Sequence, residues 1–294
     1  MPHLKKLFLI LVYIFAAVGF FLVAGYFAVR FGLTNEAGII DEQREAFFGT
    51  STQQGLAGAL GSGGLPAQGQ PNQAAAAPAY VGPWQQSQEW KVMEEAIRRD
   101  EAVIRRAATD SGVSPRLIIA NLVAEQLRLF FTEREAYKKW FYPLKILGPQ
   151  SQFSWGVMGM KEATAVEVER NLKDPASPYY LGAAYEHRLD FSSANVQGER
   201  FTRMTDQHDH YWSYLYAGLF MNQVMTQWRS AGHPIDGRPE IVSTLYNIGF
   251  RYSVPKADPQ VGGAAIPLSD GTHSFGGLAA EFYNSDLLTD IFPR

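Results

Sequence analysis

Residues 112–125 read GVSPRLIIANLVAE: a glycine, a helix start, and then a helix whose apolar register ends on a carboxylate. Ser114 can cap this helix with its hydroxyl, and Pro115 suits the first helical position, where its missing N–H costs nothing. Ile118, Leu122 and Leu129 recur at helical spacing, and Glu125 falls in the same stripe with Asn121 one turn back. A carboxylate is therefore placed against the core. Burial disfavours the charged form of a carboxyl group, which is what a general acid working near neutral pH requires. The competing reading is a structural glutamate that pairs with Arg128 or with a neighbouring helix. Helix geometry alone leaves both open.

Composition narrows the classes of function. The 294 residues include no cysteine, which excludes disulfides and thiolate chemistry. A net charge of −3 gives no electrostatic footprint for nucleic acid, so none is expected as a partner. Hydrophobic residues at 46% and aromatics at 13% suffice for one sizeable core.

Upstream of that core, Leu7 to Val29 reads LFLILVYIFAAVGFFLVAGYFAV, an uncharged run of the length that crosses a hydrocarbon core. Lys5 and Lys6 precede it and Arg30 follows, a slight bias toward a cytoplasmic N-terminus. A cleaved signal peptide is the alternative; the run exceeds a usual signal core and no A-x-A site follows it. Residues 1–30 are thus expected to form a cytoplasmic N-terminus and transmembrane anchor. Within 31–83, residues 34–48 suggest a short juxtamembrane helix, and 49–83 are rich in Gly, Ala, Gln, Ser and Pro, a composition suited to a flexible linker. The glycines at 55–64 lack the Lys-Ser/Thr of a phosphate loop.

A folded body is expected over 84–294. Trp90, Met93, Ile97, Ile104 and Ala108 mark one face of an amphipathic helix that Gly112 stops. After Phe131 a charged stretch gives way to Pro143, Gly148 and Pro149, which break the helical pattern. Residues 151–165, SQFSWGVMGMKEATA, suggest a tight turn or hairpin before a helix from Lys161 to Asp174-Pro175. Ser177-Pro178 is expected to open a helix over LGAAYEHRL, and 191–210 read as a polar loop. Tyr211 to Trp228 is apolar nearly all round; with Ser213, Asn222 and Gln223 inside, it reads as a buried core helix rather than a membrane span. Pro239 opens a helix carrying Ile241, Val242 and Leu245 up to Gly249, and a last helix covers 278–288. Asp206, His208, Asp209 and His210 have metal-ligand chemistry, but with no second cluster they read as a polar lead-in to the helix, and no metal or other cofactor is expected.

Four stretches in this order resemble the catalytic domain of the soluble lytic transglycosylases, a lysozyme-like superfamily that includes goose-type lysozyme. GVSPRLIIANLVAE looks like the family's Gly-Val-x-Pro-x-Leu helix ending in its catalytic Glu. GVMGMKEATA at 156–165 looks like Gly-Leu-Met-Gln-Ile-Met-Pro-x-Thr-Ala, DPASPYYLGAAYEHRL at 174–189 is similar to Asp-Pro…Gly-x-x-Tyr-Leu, and LYNIG at 245–249 looks like Ala-Tyr-Asn-Ala-Gly. The resemblance implies a mainly α, lysozyme-like α+β fold: one globular domain of about eight helices with a small hairpin, carried on the membrane anchor and linker. It further implies that Glu125 cleaves the β-1,4 bond between N-acetylmuramic acid and N-acetylglucosamine in peptidoglycan, forming a 1,6-anhydro end. In the family one Glu serves as acid and then as base, so no second carboxylate is needed. Tyr246 would hydrogen-bond and orient Glu125, while Gln126, Gly156, Met158 and Asn247 would line the sugar groove.

The sequence departs from the family at Gln126, where Ser is usual, at Gly159 for Gln, and at Glu162 for Pro. Glu162 reads as a surface residue in the first turn of its helix, or else as a second carboxylate that positions water. Three functions stay open: an anchored lytic transglycosylase, a hydrolytic muramidase, or a glycan-binding scaffold in an envelope-spanning machine. Expected partners are glycan strands, the membrane and such machinery. The expected location is the cytoplasmic membrane, crossed once, with the body facing the periplasm or cell exterior.

Overall fold

A computed structural model describes residues 82–131, 154–206 and 208–294. The anchor expected at 7–29, the juxtamembrane helix expected at 34–48, almost all of the expected linker and the charged segment after Phe131 lie outside the described residues. What is described belongs to one folding unit and is mainly helical.

Ser87 accepts the N–H of Trp90 and so caps α1, Gln88–Arg99. The single amphipathic helix expected here is in fact two. The chain bends at Asp100 (φ −86°, ψ 7°) and resumes as α2, Glu101–Ser111. Asp100 is turned inward, where it accepts the hydroxyl of Tyr214 at 2.8 Å and pairs with His210 at 2.6 Å. Gly112, in the left-handed region at φ +74°, closes α2 as expected and leads to α3, Pro115–Phe131.

Helix α3 is buried on more than one stripe. Leu117, Ile118, Ile119, Leu122, Val123 and Leu127 are all shielded, so it is an internal helix. Around it pack α2, the helices α7, Pro239–Ile248, and α8, Phe275–Asn284, and a hairpin described below. The second internal helix is α6, Tyr211–Ser230, which packs on α2, α7 and α4, Glu162–Lys173. Its burial all round agrees with a core helix, and among the described residues no helix is long and apolar enough to cross a membrane.

Arg116 fixes α3 to the end of the chain. Its guanidinium is fully buried and gives all five of its N–H groups to carbonyls: those of Phe282, Tyr283, Ser285, Leu287 and Phe292, at 2.6 to 3.0 Å. These carbonyls belong to the last turn of α8 and the segment after it. A cation there satisfies the unpaired C-terminal acceptors and favours the negative end of the helix dipole.

Among the described residues there are also two antiparallel hairpins. In the expected one, β1, Ser154–Trp155, pairs with β2, Met160–Lys161, in the register Trp155 to Met160. The other, β3, Ala265–Leu268, with β4, Gly271–Ser274, was not expected; it buries only Ile266 fully and leads directly into α8. Three further expectations are corrected. LGAAYEHRL forms one short 3-10 turn at Ala183–Tyr185, because Gly182 stands at φ +96° and only Leu189 of the segment is buried. The polar stretch 191–210 contains α5, Val196–Met204, capped by Asn195 and tied down by buried Arg200. The final helix begins at Phe275, where Ser274 caps it, rather than at 278.

Candidate functional site

The site assembles where three separated stretches meet the middle of α3. Glu125 projects from that helix and only 2% of it is exposed. Four residues, Gly156 to Gly159, form the turn between β1 and β2, closed by the N–H of Gly159 on the carbonyl of Gly156 at 3.1 Å. This turn lies on the Glu125 side chain. A Cβ built on Gly159 would collide with Oε1, Cδ and Cγ of Glu125, and the residue also stands at φ +64°. Gly159 is therefore the residue that lets the turn seat against the carboxylate.

Several bonds hold the turn in place. Gln126 donates Nε2 to the carbonyl of Val157 at 2.5 Å, and Ser213 on α6 accepts the N–H of Met158 at 3.3 Å. Gly156, at φ +66°, abuts the carbonyl of Met204 and the side chain of Ser213, where no Cβ would fit. Tyr246 on α7 donates its hydroxyl to the carbonyl of Met158 at 2.8 Å. Its ring meets Phe220 edge to face at 5.4 Å and Phe275 at 6.4 Å, so the aromatic core fixes it. Burial pushes the Tyr246 phenol well above its ordinary value, the charge of Glu125 adds to that, and Arg128 opposes it. The hydroxyl remains a donor.

The carboxylate itself is claimed by Arg128, whose Nη2 lies 2.5 Å from Oε1. The pair is one helical turn apart, at i and i+3, and both side chains are shielded. Asn121, expected as the nearest polar neighbour, instead donates to the carbonyl of Leu117 and the sulfur of Met221. Tyr246 is brought to the site, but its hydroxyl bonds the turn and not the carboxylate.

The residues expected to line a groove divide into two groups. Gln126 and Met158 are buried, so in this state their side chains support the turn rather than a surface. Gly156 and Asn247 are partly exposed; the Asn247 side-chain oxygen accepts the N–H of Ala264 at 2.8 Å and so ties the start of β3 to α7. Glu162 is engaged elsewhere, accepting from Gln197 at 3.1 Å and facing Arg200 at 3.5 Å. Arg200 is held more tightly by Glu169, through Nε at 2.6 Å and Nη2 at 2.7 Å.

In the 206–210 stretch, Asp206 accepts the N–H groups of His208 and Asp209, and Asp209 accepts that of Tyr211 at the start of α6. Among the described residues no group of three potential ligands gathers to hold a metal. Sequence reasoning missed the contact of Gly159 with Glu125, which only the fold reveals. The pair with Arg128 is the one expected if Glu125 were a structural glutamate. Comparisons with known protein families, with curated proteins and with solved structures found no match for this chain.

Proposed function

We propose that this protein is a lytic transglycosylase of peptidoglycan with a lysozyme-like domain, and that Glu125 is its general acid and base. The observation that carries the reading is convergence. The stretches around Glu125, Gly156–Gly159 and Tyr246, singled out separately in the sequence, meet at one buried carboxylate. A shielded carboxyl group with a rigid backbone wall on one side and a fixed phenol beside that wall suits directed proton transfer.

The steps balance with one carboxyl group. Protonated Glu125 gives its proton to the glycosidic oxygen, and the bond from muramic C1 to that oxygen breaks. The resulting carboxylate takes the proton of the C6 hydroxyl of the same sugar, whose oxygen bonds to C1. The products are a free 4-hydroxyl and a 1,6-anhydro end, with Glu125 again protonated. Glu162, the candidate second carboxylate, is occupied by Gln197 and Arg200, which favours this course over one in which Glu162 positions water. The apolar run at 7–29 anchors the protein in the cytoplasmic membrane, and residues 31–83 carry the domain outward to the wall.

Mass spectrometry of purified sacculi digested by the full chain tests the reaction. Fragments ending in 1,6-anhydromuramic acid are expected. Reducing muramic ends without anhydro ends would make it a muramidase instead.

A further inference from the structure

This inference rests on the role proposed for Glu125 and concerns which glycan that site takes. Arg128 presents Nη2 to Glu125 Oε1 at 2.5 Å, while its Nε is buried and has no hydrogen-bond partner. Nε and Nη2 together form an edge of the guanidinium that can receive a carboxylate side-on through two parallel bonds. In this structure that edge is half used. With the two residues on adjacent turns, Glu125 offers that edge one oxygen, Oε1, and leaves Nε unmatched. From α7, the phenol of Tyr246 faces the same pair, but it is uncharged and bonded to Met158. Arg128 is thus a shielded cation with a carboxylate-binding edge that its own glutamate does not fill.

We infer that Arg128 is a specificity residue that passes from Glu125 to a carboxylate of the bound glycan. The carboxylate that muramic acid offers is its lactyl group, which is free when the strand carries no stem peptide and is a neutral amide when it does. A free lactyl carboxylate can take Nε and Nη2 together, and its arrival releases Oε1 of Glu125 to face the glycosidic oxygen. The preferred substrate is therefore a peptide-free strand, and Arg128 couples its recognition to the release of the acid.

The test compares cleavage by the full chain in detergent of two glycans of equal length, one peptide-free and one bearing neutral L-alaninamide on each lactyl group. Wild type is expected to favour the peptide-free strand by about tenfold or more in kcat/KM, the scale of one charge-assisted bond. Arg128→Gln should bring that ratio near one. Arg128→Lys should do so as well, since an ammonium keeps the charge but lacks the fork. A wild-type ratio of one or below, or a Lys variant that keeps the wild-type ratio, overturns the inference. Should the variants fail to fold, the wild-type ratio decides alone. Glu125→Gln separates the two levels: if it cleaves as wild type does, the role of Glu125 falls, whereas an inactive Gln variant with a flat wild-type ratio removes only the role of Arg128.

Discussion

Helix α3 carries an arginine near each end, and the protein treats them in opposite ways. Arg116 is fully buried with every N–H matched to a carbonyl, and no carboxylate is needed to hold it. Arg128 holds one carboxylate oxygen and leaves a buried donor unmatched. Complete satisfaction makes a rigid structural lock, since any movement would break several bonds at once. Incomplete satisfaction leaves an arrangement that a ligand can improve. The contrast separates the part of the helix that locks the fold from the part where the proposed chemistry lies.

The largest effect expected from breaking this contrast is on the structural side. Arg116→Met leaves five carbonyls without their donor and should cost about 3 kcal/mol or more, seen as a lower urea midpoint with early cleavage of the C-terminal segment by protease. A loss below about 1 kcal/mol would show that apolar packing alone holds that segment. Next, Gly159→Ala places a methyl group on the Glu125 carboxyl in a backbone region that disfavours side chains. It should lower stability by about 1–3 kcal/mol and wall digestion by about tenfold or more. Full activity in a folded Ala variant would remove Gly159 from the site. Tyr246→Phe deletes the bond to Met158 and should cost about 1 kcal/mol in chemical denaturation, with the turn loosened and digestion reduced.

A further effect appears only at high pH. Burial, reinforced by the hydrogen bond to Asp110, pushes the Tyr211 phenol up to about 12. A phenol whose folded value is raised contributes stability that is fully present below its unfolded value near 10 and is lost as pH rises through about 12. Tyr211→Phe should therefore flatten the fall in stability between about pH 10 and 12, measured by thermal melts across that range. An unchanged slope would place the alkaline sensitivity on the more deeply buried Tyr214 and Tyr216, whose phenols are also raised by burial.

Much of the scaffold was legible in the chain. Gly112, Ser114-Pro115, Asp174-Pro175 and Pro239 act locally, so the boundaries they mark are found close to where the sequence puts them. Elements that depend on distant partners were not. The break at Asp100 goes with contacts to His210 and Tyr214, and α5 with the grip of Glu169 on Arg200. The β3–β4 hairpin contains Pro267 and little buried surface, so it lacked the alternation that marks a strand. At the site, spacing and motif singled out Glu125 and Tyr246. What the carboxylate touches was beyond reach, because the Gly159 contact and the Tyr246 bond to Met158 are long-range facts of packing.

The central claim, that Glu125 is the acid and base of glycan cleavage, is met most directly by turbidity loss of purified sacculi incubated with wild type and with Glu125→Gln. The exchange keeps the shape of the side chain and removes its ability to give or take the proton. Wild type is expected to clear the suspension, and the Gln variant, folded by circular dichroism, to be slower by about a hundredfold or more. Equal clearing by the two proteins would contradict the account.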